Sequence, residues 1–353
     1  MRASPGFEGP AAAKSGAVVQ GFRLGEVLGE GAGGTVYAAT RVAGGQAGED
    51  LALKLLHPHL QGETPVGRRF RREAALLRQL RGPHFVPLFE YGQTPDGRLY
   101  MVLERVRGVP LAELFAQRTL SVDEGVELLE QVCAALEAAH GAGIIHRDLK
   151  PSNVMVEQDA SGKRRVRVLD FGLAKALGGD ARGAHTTITE LNSVFGTPAY
   201  MAPEQARGQP VDERADLYAV GVMLYEHLTG RVPFRGDTPL AVLTAHLTEP
   251  PPPPRALDPR LAALPALEAI ALHALAKAPQ DRYASAAAFG RALRLARRHP
   301  DRAADVLPSA TQARPAHAPE DAPPKLRPAW VIAGVFATAL GLAIGVILSL
   351  LGA

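Results

Sequence analysis

The segment His146-Arg-Asp-Leu-Lys-Pro-Ser-Asn153 sets a carboxylate, an ammonium and an amide close together, directly after the apolar pair Ile144-Ile145. Farther along, Asp170-Phe-Gly172 follows the mostly apolar stretch Val166 to Leu169. Lys54 ends Leu51-Ala-Leu-Lys, where a lysine on a half-buried strand needs an anionic partner or a route to water. Gly29-Glu-Gly31-Ala-Gly-Gly34-Thr-Val36 is a G-x-G-x-x-G-x-V run, and glycine lets backbone amides approach phosphate oxygens. Phosphoryl transfer to a hydroxyl calls for these residue types. It needs a carboxylate for the incoming hydroxyl, a cation for the moving phosphoryl and oxygen ligands for Mg²⁺.

The elements around these residues narrow the reading. A Rossmann fingerprint opens a helix, whereas the strand-like Val36-Tyr-Ala-Ala follows here, and the Gly-Lys-Ser/Thr of a P-loop is missing. The glycine run is therefore a strand–turn–strand flap. Phe22 to Leu28 alternates as a strand does, and Leu51 to Leu56 is a further strand candidate. Phe70, Ala74, Leu77 and Leu80 recur at helical spacing with arginines opposite. That helix carries Glu73, either as a partner for Lys54 or as part of a solvated Arg-Glu face. Ser121-Val-Asp-Glu124 is a capping box that opens a helix to about His140. After Asp216 the apolar runs lengthen and read as helices, so the chain divides into two lobes.

Composition removes other classes. Hydrophobic residues make up 46% and charged residues 21%, so the chain is not a disordered polyelectrolyte. A net charge of +3 and 5% aromatic content argue against a nucleic-acid partner. One cysteine, Cys133, excludes a disulfide framework and a cysteine-based zinc site. Residues 1–21 lack the apolar run of a signal peptide and are expected to form a flexible lead-in. Pro250 to Pro254 read as a stiff connection between helices rather than a polyproline ligand. Residues 299–328, rich in Pro, Ala and charge, read as a linker. Residues 329–351 carry no charge. About 23 helical residues span about 34 Å against a hydrocarbon core of about 30 Å, so a transmembrane helix is expected there. Trp330, Lys325 and Arg327 stand at its edge as interfacial anchors would.

From Gly29 through Asp170 to Gly196-Thr-Pro-Ala-Tyr-Met-Ala-Pro-Glu204, the motifs in this order resemble a eukaryotic-like (Hanks-type) bacterial serine/threonine protein kinase. The resemblance runs over residues 22–298. It implies an α+β, bilobal protein-kinase fold with a small β-rich N-lobe carrying one main helix, a larger mainly helical C-lobe and, beyond it, the transmembrane helix. It implies ATP and Mg²⁺ (or Mn²⁺) as cofactors and proteins as substrates. Gly29, Gly31 and Gly34 match the phosphate flap, Lys54 the α/β-phosphate lysine and Glu73 the glutamate that pairs with it. Asp148 matches the catalytic base, Lys150 the γ-phosphate lysine, and Asn153 and Asp170 the metal ligands. Leu28, Val36, Ala52 and Met155 would sandwich adenine, with Leu103 as gatekeeper and Glu104 and Val106 offering backbone hydrogen bonds. Thr197 would face the substrate, and Glu204 would pair with Arg282. Lys150 together with Thr197 resembles the serine/threonine class. Ser152 stands where some basic-directed relatives carry a glutamate, which weakens any preference for basic motifs.

A catalytically silent scaffold would have no chemical reason to keep Lys54, Asp148, Asn153 and Asp170 together. A small-molecule phosphotransferase would not need the Ala-Pro-Glu segment. In kinases of this pattern Arg147 receives a phosphate from the activation loop, for which Thr186, Thr187, Thr189 and Ser193 are the candidates. The expected topology is a single-pass, C-terminally anchored protein of the cytoplasmic membrane with the kinase lobes in the cytoplasm. A homodimer is a further expectation, through the kinase domain or through Ala333, Ala337, Gly341, Gly345 and Ser349 of the anchor.

Overall fold

Alternating apolar residues build an antiparallel sheet in the first lobe of the computed structural model, which describes residues 15–31, 34–42, 50–57, 65–171, 198–302 and 307. The strands are β1 (Val18–Val19), β2 (Phe22–Gly31), β3 (Gly34–Arg41), β4 (Leu51–Leu56), β5 (Leu88–Gln93) and β6 (Leu99–Glu104), in the order β1-β2-β3-β4-β6-β5. One face of the sheet is a sealed core of Phe22, Leu24, Tyr37, Leu51, Leu53, Leu55, Tyr100 and Val102. Side chains of a strand alternate between faces. Val36, Ala52, Lys54 and Leu103 therefore share the other face, because Val36 pairs with Lys54 and Ala52 with Leu103. Helix α1 (Pro65–Leu77) buries Phe70 and Ala74 against Leu56, Leu88, Leu99 and Met101.

Two details differ from the sequence expectation. The lead-in becomes structured by Val18, because Gln20 and Gly21 both take positive φ, 49° and 82°, and turn β1 back onto β2. That backbone matches the tight hairpin turns whose twist suits adjoining strands. The helix forecast from Phe70 to Leu80 starts earlier, at Pro65, and ends at Leu77. Proline is favoured in a first turn, where its missing N–H costs nothing. At the start of β3, glycine is required at position 34: φ is 146°, and a Cβ there would lie 2.3 Å from the Leu55 carbonyl oxygen.

The second lobe is helical. A short strand β7 (Val109–Pro110) leads into α2 (Leu111–Gln117) and α3 (Val122–Gly141). The predicted capping box is formed: Ser121 Oγ accepts from the Glu124 N–H, and the Glu124 carboxylate accepts from the Ser121 N–H. Strands β8 (Val154–Gln158) and β9 (Arg164–Val168) form a hairpin whose edge pairs with β7. Then follow α4 (Pro203–Ala206), α5 (Arg214–Thr229), α6 (Pro239–Thr248), α7 (Pro254–Leu257), α8 (Pro265–Ala274) and α9 (Ala286–Arg298). Helix α5 is buried nearly all round, which marks it as the central strut of the lobe. The proline run connects α6 to α7, as expected of a stiff link. Among the described residues no helix is long and apolar enough to cross a membrane. Residues 1–14 of the expected lead-in, residues 303–306 and 308–328 of the linker, the predicted span at 329–351, and the loop candidates Thr186, Thr187, Thr189, Ser193 and Thr197 lie outside the described residues.

Candidate active site

Asp216, in the first turn of α5, holds the chemistry-bearing loop from beneath. Its Oδ2 accepts from the His146 N–H at 2.8 Å, its Oδ1 accepts from the Arg147 N–H at 2.9 Å, and His140 Nε2 lies 2.8 Å from Oδ2. Burial opposes this charge, but the His140 contact, His146 and the Arg147 amide outweigh it and keep the carboxyl below the usual aspartate range. With its amides fixed, the loop takes a positive φ at Arg147, 68°. Gln205 Nε2 donates to the Arg147 carbonyl at 2.8 Å and ties the loop to α4.

The loop then presents three groups at one point. Lys150 Nζ donates to Asp148 Oδ2 at 2.9 Å, and Asn153 Nδ2 donates to the Asp148 carbonyl at 2.7 Å and to Oδ2 at 3.3 Å. Among the described residues, Asp148 Oδ1 and Asn153 Oδ1 are left as acceptors. The Asn153 carbonyl accepts from the Leu169 N–H at 2.8 Å, which fixes Asp170 beside this loop.

Lys54 Nζ donates to Asp170 Oδ2 at 2.7 Å, joining the two lobes across the cleft. Partial desolvation in the cleft raises the cost of the Asp170 charge, and the Lys54 ammonium, aided by His146 and Lys150, overcomes it and holds the carboxyl below its ordinary range. Asp170 has a φ of 55°, a strained position that aspartate tolerates better than most residues. The expected Lys54–Glu73 pair is not formed here, and Glu73 is only half-buried. An ammonium has three donors and could serve both carboxylates, so the placement of α1 decides that only Asp170 is within contact distance.

On the face above, Ala52 is buried, while Val36, Leu103, Val106 and Met155 are half-buried and Leu28 is exposed. Among the described residues, a Cβ at Gly29 or Gly31 would meet no atom within 4 Å, in contrast to Gly34. Packing does not demand glycine at those two positions, so their open side is free for phosphate oxygens. The donor set fits ATP: an apolar slot, a backbone flap and two ammonium groups. It also fits Mg²⁺, which takes one or two protein ligands together with phosphate oxygens and water. No group of three or more His, Cys, Asp or Glu side chains converges among the described residues, so the site does not resemble an all-protein cage. A groove of about 350 Å³ between Phe115, Arg118, His227 and Leu261 belongs to the helical lobe and touches none of these residues.

Three supporting residues escaped the sequence reading. They are His140, which caps Asp216, Gln205, which ties Arg147, and Arg167 on β9, which pairs with Glu104 and Glu157. The one available signal was an arginine inside the apolar run that precedes Asp170.

Residues 22–285 match the protein kinase domain family, and the chain belongs to that family. The serine/threonine-protein kinase pkn3 of Myxococcus xanthus is 42% identical over 270 residues, covering 76% of this chain and 48% of its own length. PknB of Mycobacterium tuberculosis is 39% identical over 270 residues, covering 75% of this chain and 41% of its own length. The chain thus spans less than half the length of these curated relatives. The crystal structure of the Mycobacterium tuberculosis PknI kinase domain superposes with a TM-score of 0.62 at 29% identity. It covers 80% of this chain and 99% of that one.

Proposed function

We propose that this chain is a protein serine/threonine kinase that transfers the γ-phosphate of ATP to Ser and Thr hydroxyls with Mg²⁺ or Mn²⁺. The observation that carries the reading is the convergence of Asp148, Lys150 and Asn153 with a Lys54–Asp170 bridge across the cleft. Asp148 Oδ1 accepts the proton of the incoming hydroxyl as its oxygen bonds phosphorus, and the β–γ bridging oxygen leaves with its electron pair on ADP. Lys150 steadies the moving phosphoryl, and Lys54 holds the α/β-phosphates. Asn153 Oδ1 and Asp170 would hold the metal, which would supply positive charge to offset that building on the phosphate oxygens. The test is phosphate transfer from labelled ATP to Ser, Thr and Tyr peptides by the full chain in detergent. Transfer to Ser or Thr that disappears with EDTA and in Asp148→Asn supports the reading, and equal transfer by Asp148→Asn defeats it.

Two finer statements belong to the same proposal. The first is autophosphorylation at Thr186, Thr187, Thr189 or Ser193, which would offset the charge of Arg147 and order the loop. Intact-mass analysis of the active enzyme checks it, because an active kinase without loop phosphate has no use for the mechanism. The second is membrane attachment through residues 329–351, with the lobes on the cytoplasmic face beside Lys325 and Arg327. Protection of the kinase domain from protease in cytoplasmic-side-out vesicles would reverse that orientation.

A further inference from the structure

Glu104 and Arg105 are consecutive residues where β6 leaves the sheet for the helical lobe, and their side chains are tied to opposite lobes. Arg105 turns back to the sheet: Nη2 donates to Glu26 Oε1 at 2.8 Å, and Nη1 lies 3.8 Å from Asp50 Oδ1. Glu104 turns forward, accepting from Arg167 Nη2 at 2.8 Å through Oε2. Arg167 also donates through Nη1 to Glu157 Oε2 on β8 at 3.3 Å. These pairs differ in solvent. The Glu26 side chain is 68% exposed, so its pair with Arg105 is screened. The Arg167 side chain is 9% exposed, with Glu104 and Glu157 at 36% and 23%, so the guanidinium end of these pairs is shielded from water while the carboxylate ends stay partly wet.

Arg167 lies on the strand that delivers Asp170. That strand is anchored at its end, where the Val168 N–H donates to the His84 carbonyl at 2.9 Å and the Leu169 N–H donates to the Asn153 carbonyl at 2.8 Å. The hinge is anchored on the sheet side, where the Glu104 N–H donates to the Pro87 carbonyl at 3.0 Å and the Arg105 N–H donates to the Asp50 carbonyl at 2.9 Å. Between these two anchored pieces of backbone, the Glu104–Arg167 pair is a direct side-chain link. A guanidinium is a rigid planar fork, able to hold two carboxylates at once in fixed directions.

We propose that Arg167 is a positioning residue that binds the hinge acid Glu104 to the strand bearing Asp170, so that the adenine-binding backbone and the metal-facing carboxylate keep a fixed spacing. This rests on the nucleotide-binding reading above for its kinetic consequence, but not for its structural one. Without Arg167, Glu104 and Glu157 point two carboxylates at one region with no cation between them. The hinge then loses its link to β9 and gains a repulsion. Lysine at the same position restores the charge but engages one carboxylate at a time.

The experiment uses the full chain in detergent, as Arg167→Met, Arg167→Lys and the triple variant Arg167→Met/Glu104→Gln/Glu157→Gln. Hydrogen exchange of residues 104–108 is measured without nucleotide, alongside KM for ATP, kcat and melting temperature. Arg167→Met is expected to exchange about threefold faster at the hinge and to raise KM for ATP about three- to tenfold, with kcat within about twofold. Arg167→Lys should recover most of both. The triple variant removes the repulsion and should melt near the wild type while keeping the raised KM and fast hinge exchange. If Arg167→Met and the triple variant lower the melting temperature but leave hinge exchange unchanged, Arg167 is structural only and the proposal fails. If the triple variant regains wild-type hinge exchange, repulsion rather than a lost link is the cause, and the proposal again fails. A wild-type chain that neither binds nor uses ATP defeats the kinase reading, and the exchange result then decides the link by itself.

Discussion

Lys54–Asp170 in the cleft and Arg282–Glu204 inside the helical lobe have the same shortest N···O distance, 2.7 Å, and differ in everything around it. The Arg282 and Glu204 side chains are 0% and 4% exposed. Arg282 reaches both Glu204 oxygens, at 2.7 and 2.8 Å, and its remaining donors end on the carbonyls of Ala276, Arg214 and Lys277. In the cleft, the Asp170 side chain is 37% exposed. The sealed pair has no group left to offer and nowhere to move. The cleft pair is closed around its lysine and open around its carboxylate, which on the proposed function leaves Asp170 free to take a metal and Lys54 to turn to phosphate. Equal ion-pair distance thus goes with full enclosure in one case and an accessible carboxylate in the other.

The sharpest way to break this comparison is Asp170→Asn. The amide keeps an oxygen for Lys54 but loses the charge for the metal. Phosphate transfer should fall by about 10³-fold or more, because electrostatic stabilisation of the moving phosphoryl is the main contribution of such a site. The melting temperature should move by no more than about 2 °C, as expected of a small local change. Wild-type turnover in the folded variant would show that the open pair is not catalytic.

Arg282→Ala tests the sealed side. Removing one partner of a buried pair strands the other and costs about 3–5 kcal/mol. For a domain of this size that is a fall of roughly 10 °C in calorimetry. An unchanged melting temperature would mean that enclosure does not decide the worth of these pairs.

The pairs also show what a linear sequence can and cannot reveal. Asp148, Lys150 and Asn153 were legible because one short motif carries them, Asp170 because Phe171 and Gly172 follow it directly, and the capping box at Ser121 because its two halves are three residues apart. Glu204–Arg282 was legible only through a family pattern, since its partners are 78 residues apart and no periodicity joins them. His140 and Arg167 were missed for the same reason. Each partners a residue brought near by the packing of separate elements. Glu73 shows the opposite case. Its place on a helix was readable, but which carboxylate reaches Lys54 depends on where that helix stands, and a residue list does not fix that.

A buried group with no counter-ion extends the comparison. His246, on α6, is fully buried, with Nδ1 2.8 Å from the Tyr218 hydroxyl and its ring edge against Phe234. Burial, with the nearby Lys277 charge, pushes its pKa down to about 4. The unfolded chain protonates this ring near pH 6.5, so as pH drops from about 6.5 to 4 the unfolded state binds the extra proton and stability decreases, by up to about 3 kcal/mol. Asp170 and Asp216 are depressed below 3.8, so their contribution is lost only below that window. His227 and His273, also lowered by burial, act in the same direction as His246. His246→Asn should therefore flatten part of the decline in denaturant midpoint between pH 7 and 4.5. A profile as steep as that of the wild type would show that the ring is protonated in the folded protein.

The smallest effect is expected where the charges face water. Ser121 caps α3 reciprocally with Glu124, and Arg164 pairs with the same carboxylate. The Ser121 amide and hydroxyl, then Arg164, hold Glu124 below the usual glutamate range. Yet the Glu124 and Arg164 side chains are 45% and 30% exposed, so water and salt compete for both charges. Ser121→Ala removes the hydroxyl that accepts from the Glu124 N–H but leaves the Ser121 backbone N–H with its carboxylate partner. The cost should be about 1 kcal/mol, the usual worth of an N-cap. Arg164→Met should cost less, about 0–1 kcal/mol, and its effect should vanish in about 1 M salt, whereas the Arg282→Ala loss should persist there. If Arg164→Met proved as damaging as Arg282→Ala, or if both losses vanished together in salt, then enclosure would not be what separates the structural pair from the others.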